Sequence, residues 1–164
     1  AMTGHRVFST LHTNSALGTI PRLLDIGVQP SIIAGNIIGV IGQRLVRRLC
    51  PHCKQPYEPN ALEKQMIYSK APRDTMVSVY RSVGCQICDM TGYKGRVALM
   101  EVLRFNAEID ELIASNSTMR ELKKAAMANG FKTLADDGAR WVREGVTSLE
   151  EVSRVVDLTQ LLNE

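Results

Sequence analysis

Leu49-Cys50-Pro51-His52-Cys53-Lys54 and Gly84-Cys85-Gln86-Ile87-Cys88-Asp89 hold all four cysteines of the chain, as two Cys-x-x-Cys pairs with 31 residues between them. Two residues between paired cysteines let both sulfurs turn toward one point while backbone N–H groups aim at the thiolates, an arrangement suited to tetrahedral zinc. The intervening length exceeds the roughly 15 to 20 residues of a common zinc ribbon, so the segment must carry structure of its own. Two disulfides fit poorly with a chain showing no sign of export, and redox chemistry needs one such pair rather than two. His52 could replace a cysteine as ligand, but between two better ligands it reads as a surface histidine. Four thiolates leave no open coordination position, so Cys50, Cys53, Cys85 and Cys88 are expected to hold a structural Zn2+.

The pairs divide the chain into residues 1–49, a zinc-binding module at 50–95, and residues 96–164. Within the module, Pro56, Pro59 and Pro72 break up the pattern, a short helix is expected over Ala61 to Tyr68, and Met76 to Arg81 alternates like a half-exposed strand. Beyond it, Arg96 to Phe105 is apolar at nearly every position, the pattern of a strand covered on both faces. Four short helices follow with readable caps: Asn106 before Ala107, Ser117 before Met119, Thr133 with Asp136, and Ser148 with Glu151 as a capping box.

Upstream, His5 to Thr10 reads as a buried strand leading through a polar βα loop into a helix capped by Asn14 or Ser15. That helix presents Leu17, Ile20, Leu23 and Leu24 on one face and stops at Gly27, with Pro21 deep enough to kink it. A second, largely buried helix is expected from Ser31 to about Ile41, its Gly35, Gly39 and Gly42 admitting a close neighbour. The fold class is therefore α/β. In such folds ligands bind at the carboxyl edge of the strands, where Ser9, Thr10, His12, Thr13 and Asn14 would gather. Hydroxyl, amide and imidazole groups can all donate to a phosphate, although from the pattern alone Thr13, Asn14 and Ser15 read more simply as helix caps.

Composition is that of an ordinary globular chain, 45% hydrophobic and 23% charged. The 20 basic and 17 acidic residues leave a formal charge of +3, a weak argument for nucleic acid. No stretch approaches the roughly 20 apolar residues of a membrane span. The first residues lack the pattern of a secretory signal, and a strand beginning almost at once suggests a piece of something longer. The phosphate-cradling Gly-x-x-x-x-Gly-Lys-Ser/Thr and Gly-x-Gly-x-x-Gly and the nucleophile elbow Gly-x-Ser-x-Gly are all missing, so the chain by itself is not expected to hydrolyse anything. An alternative is a zinc-ribbon nucleic-acid module using Arg44, Arg47, Arg48 and Lys54, against which stand the few stacking residues and the lack of a basic stripe.

Thr3-Gly4-His5-Arg6-Val7-Phe8-Ser9-Thr10-Leu11-His12-Thr13-Asn14 resembles the histidine box of the ATPases that drive type II secretion and type IV pilus assembly. Arg22 to Val28, Gln43 to Cys50, both cysteine pairs, Gly92-Tyr93-Lys94-Gly95-Arg96, Asp136-Asp137-Gly138 and Thr147 to Val152 resemble the same family in the same order. The resemblance implies the C-terminal part of a RecA-like ATPase domain with an inserted four-cysteine module and a helical tail, in a hexamer at the cytoplasmic face of the inner membrane. It implies partners in the ring's own subunits and in an inner-membrane platform or recruiting protein. ATP and Mg2+ would be bound by the full-length protein, whose phosphate loop would lie upstream. His5, Thr10 and His12 carry over as nucleotide-sensing residues. The four-cysteine module is similar to that of assembly motors rather than retraction motors, and Pro21 departs from the family's helix former at that position.

Overall fold

In the computed structural model, which describes residues 4–69 and 79–162, the chain runs through α1 (Thr19–Asp25), α2 (Pro30–Ile33), β1 (Gly39–Leu49), β2 (Gln55–Tyr57) and α3 (Ala61–Tyr68). It continues through β3 (Val79–Arg81), a 3-10 turn (Gln86–Cys88), β4 (Tyr93–Arg104), α4 (Ala107–Ala114), α5 (Met119–Ala128), α6 (Leu134–Arg143), α7 (Leu149–Ser153) and a last 3-10 turn (Leu158–Leu162). Local chemistry sets most helix starts. Asn60, Thr118 and Thr133 each accept from the backbone three residues on, and Glu63, Glu121 and Asp136 return the bond. The cap of α5 is thus Thr118 rather than Ser117, because the reciprocal pair needs a three-residue offset from Glu121.

β1 pairs with β4 and β2 with β3, each as a two-stranded sheet. The first pair is antiparallel: Phe105 N–H donates to Ile38 O at 3.1 Å near one end, and Cys50 N–H to Gly92 O at 2.9 Å near the other. β2 and β3 are antiparallel, with Gln55 opposite Arg81 and Tyr57 opposite Val79.

By compactness the chain forms two units, Ala1–Gly42 with Glu101–Lys132, and Gln43–Met100 with Thr133–Glu164. The first packs Ile20 and Ile33 against Leu103, Ile109, Ile113, Leu122 and Phe131. The second buries Val46, Ile67, Val79, Leu99, Val142, Val152 and Leu161, and the described residues of segment 50–95 lie within it.

Several expectations are corrected. Residues 5–13 form neither helix nor strand, and Phe8 is 95% exposed. A strand exists only with a neighbour to pair with, and among the described residues neither sheet includes this stretch. The helix expected over 31–41 ends at Ile33, Gly35 takes φ +75°, and Gly39 to Ile41 open β1. The β-branched run Ile37-Ile38-Gly39-Val40-Ile41 favours an extended backbone. Gly39 and Gly42 do admit a close neighbour, but it is the β4 strand: a Cβ at Gly39 would stand 3.0 Å from Leu103 O. Pro21 removes no ladder bond, because α1 begins at Thr19 and its first intrahelical donor is Arg22 N–H.

β4 is covered on one face only, burying Leu99, Glu101 and Leu103 while Met100 and Val102 are exposed. Of the strand expected from Met76 to Arg81, Val79–Arg81 is present and residues 76–78 lie outside the described residues.

Candidate metal centre

Two strand pairs converge on the cysteines. Cys50 directly follows β1, and its N–H bonds to Gly92 O, four residues past Cys88. Cys53 lies two residues before β2 and Cys85 four residues after β3, so the Gln55–Arg81 register brings the other two ends together. The 31-residue interval closes because α3 packs Ile67 into the core of the same unit.

The sulfurs stand 3.9 Å apart for Cys50–Cys85, 3.8 Å for Cys53–Cys88 and 3.7 Å for Cys85–Cys88, and all four lie within 4.8 Å of one another. A tetrahedron with metal–sulfur bonds of about 2.3 Å has edges of about 3.8 Å. A disulfide requires about 2.05 Å, and all four cysteines are free. The donor set therefore fits a thiophilic divalent cation. His52 is exposed and outside the cluster.

Backbone donors complete the knuckles. Cys85 N–H and Gly92 N–H each donate to Cys88 Sγ at 3.2 Å, and Gly84 N–H to Cys53 Sγ at 3.3 Å. At Cys88 burial disfavours the thiolate, but the Cys85 and Gly92 N–H groups outweigh it and lower the thiol to about 6. At Cys53 burial prevails over the Gly84 N–H and raises the thiol to about 11.

Gly92 is required twice: its φ is +76°, and a Cβ there would stand 2.7 Å from Ser82 Cβ. Gly92→Ala should weaken zinc retention about 10- to 100-fold, the usual effect of disturbing the groups that orient metal ligands. Competition with a coloured chelator measures this directly.

Sequence reasoning missed the network that locks β1 beside the centre. Glu151 caps α7 only halfway. Ser148 Oγ accepts Glu151 N–H at 3.2 Å, but the Glu151 carboxylate turns instead to Arg47, taking its backbone N–H and Nε at 3.0 Å and its Nη2 at 2.6 Å. Arg47 also lies 4.2 Å over the Tyr93 ring, whose hydroxyl is 2.7 Å from Ser148 Oγ. Thr147 Oγ1 donates to Arg47 O at 2.8 Å, and Leu49 N–H to Val146 O at 2.8 Å. Lys54 donates to Gly145 O at 2.8 Å and sits 4.3 Å over Tyr80. Arg47 and Lys54, which the nucleic-acid alternative needs, are thus engaged within the fold.

The cysteines are gathered, whereas His5, Thr10 and His12 are exposed along the irregular stretch 5–13. No helix among the described residues is long and apolar enough to cross a membrane.

Fold and site together define a mixed α/β protein whose strand ends are tied by a four-cysteine candidate metal centre. Residues 1–154 match the family model described as Type II/IV secretion system protein, and the chain belongs to that family. It is 44% identical, over 97% of its length, to the type IV pilus assembly ATPase TfpB of Acinetobacter baylyi, and 43% identical, over 94%, to the type II secretion system ATPase E of Vibrio cholerae. Over 93% of its length it is 43% identical to the type IV pilus assembly ATPase PilB of Myxococcus xanthus. The chain spans only 27%, 30% and 27% of those three relatives.

Proposed function

We propose that this chain is the C-terminal part of the RecA-like motor domain of a hexameric ATPase that powers type II protein secretion or type IV pilus assembly. The observation that carries the reading is the match over residues 1–154 to a family whose similar members are ATPases of those systems. In this reading residues 1–49 complete the nucleotide-binding core, 50–95 form a zinc-braced insertion, and 96–164 return to the core and end in a helical subdomain. ATP and Mg2+ bind mainly to residues preceding Ala1, which supply the phosphate loop. The ring works on the cytoplasmic face of the inner membrane against a platform or recruiting protein.

The centre's part is mechanical. Cys50, Cys53, Cys85 and Cys88 hold zinc with no coordination position left for a substrate, so the ion ties β1, β2, β3 and β4 at one end and takes no part in hydrolysis. Its position beside Arg47 and the 145–151 segment lets the module resist load as one piece.

His5, Thr10 and His12 sense nucleotide. Their exposure suits a loop that meets its ligand from outside the described residues, and imidazole and hydroxyl donors match phosphate oxygens. In the full-length protein, His12→Ala should lower the ATP hydrolysis rate about tenfold or more, the effect of losing one hydrogen bond to a charged phosphate worth about 1.5 kcal/mol. The zinc content should stay at the wild-type level. A steady-state phosphate-release assay checks this, and an unchanged rate removes His12 from the nucleotide site.

A further inference from the structure

Glu101 interrupts the apolar run of β4. Strand alternation puts it on the same face as Leu99 and Leu103, and only 3% of it is exposed. A carboxylate in such a place is costly unless hydrogen-bonded. It accepts a bond from Ala16 N–H, at the head of the turn that leads into α1. The facing strand makes room for it: at Gly42 a Cβ would stand 2.7 Å from Glu101 Oε1 and 2.8 Å from its Cγ. A larger residue at 42 with an apolar one at 101 would fill this space without burying a charge.

Ala16 is fully buried and closes the polar stretch that contains Thr10 and His12. That end of the stretch is ordered by further bonds. Thr13 Oγ1 donates to Ser15 O at 3.1 Å and lies 3.3 Å from Thr19 Oγ1, and Ser15 Oγ accepts Gly18 N–H at 3.1 Å. Glu101 ties this knot to β4.

We propose that Glu101 is a positioning residue for the nucleotide-sensing stretch: by tethering Ala16 to β4, in the space left by Gly42, it fixes where Thr10 and His12 are presented. This rests on the reading of that stretch as a nucleotide sensor. The tether should tune the response to bound nucleotide more than its capture, because the phosphate loop lies elsewhere in that reading.

The test pairs two measurements, each on wild type, Glu101→Ala and Glu101→Gln. Amide hydrogen exchange on the 164-residue chain should show Ala16 exchanging at least about tenfold faster in Glu101→Ala, as expected for a local opening. The amides of residues 50–57 should be unchanged. In the full-length protein, Glu101→Ala should lower kcat for ATP hydrolysis about fivefold or more with KM within about twofold, the signature of an effect beyond ground-state binding. Glu101→Gln, which keeps an acceptor oxygen, should recover most of both losses. If Glu101→Ala does not fold, Gly42→Ala displaces the carboxylate and should give the same two changes.

Unchanged exchange at Ala16 overturns the proposal, as does faster exchange with unaltered kcat. A wild-type full-length protein that hydrolyses no nucleotide defeats the motor reading and the proposal with it. That failure is recognisable, because the Ala16 tether would still show in exchange.

Discussion

Stripping zinc from the chain with a strong chelator, or replacing Cys88 by serine, is expected to unravel the module around the knuckles while α4 and α5 stay folded. β2 and β3 have three residues each, and a two-stranded ribbon of that size is marginal alone. Structural zinc in small modules supplies about 10 to 16 kcal/mol at neutral pH, comparable to the whole 5 to 15 kcal/mol stability of a typical domain. The few side chains around the knuckles cannot replace that. The helices α4 and α5 pack in the other unit around Ile109, Ile113 and Leu122, and draw nothing from the metal. Hydrogen exchange before and after chelation should show protection lost over residues 50–57 and 79–93 and kept over residues 107–128. Retained protection at the knuckles would mean that the strands close without the ion.

Glu151→Ala is expected to cost about 2 to 3 kcal/mol, below the roughly 3 to 5 kcal/mol typical of a broken fully buried pair. The Glu151 side chain is 7% exposed, but Arg47 keeps 41% exposure and can recover some hydration once its partner is gone. The change also removes the acceptor for the Arg47 backbone N–H and frees the guanidinium that lies over Tyr93.

The pH dependence has a definite sign. Burial would raise the Glu151 carboxyl, but hydrogen bonds from the Arg47 side chain and backbone, with the charges of Arg47 and Arg154, outweigh burial and lower it. A carboxylate whose folded value is depressed contributes stability above its unfolded value, near 4.5, and loses it as pH falls through the folded value. Urea unfolding of wild type and Glu151→Ala should therefore differ fully at pH 7, with the difference shrinking as pH falls below 4.5 and gone once pH lies below the depressed folded value. Zinc content of both proteins is followed over the same pH range, because the Arg47–Glu151 bond lies beside the metal centre and the two are coupled. A gap that persists undiminished at low pH would assign the loss to packing rather than to the ion pair.

The four cysteines were legible because metal ligation imposes a spacing that survives any detail of the intervening chain, and α3 was expected at its observed place although its reciprocal cap, Asn60 with Glu63, was not among the caps read from the sequence. β4 was found from its apolar run, but not its open face: Met100 and Val102 are as apolar as Leu99 and Leu103, and only tertiary packing distinguishes them. The Ile32-to-Ile41 run was ambiguous, since a short continuous apolar stretch fits a buried helix or a strand. Its β-branched residues and Gly35 were the signals that favoured the strand. His5 to Thr10 carries strand-forming residues, but a strand also needs a neighbour, and pairing is not a local property.

Glu101 could have been found, as an acid on the buried face of an apolar strand. The Arg47–Glu151 bond could not, because Glu151 already satisfied a capping pattern and the partner lies 104 residues away.

The central claim is that Cys50, Cys53, Cys85 and Cys88 close as thiolates around one divalent ion. Elemental analysis of the chain purified without added metal should find one zinc per chain, falling to none when Cys53 and Cys88 are both replaced by serine. Zinc-free wild type that keeps its fold, or zinc that persists in the double variant, would contradict it.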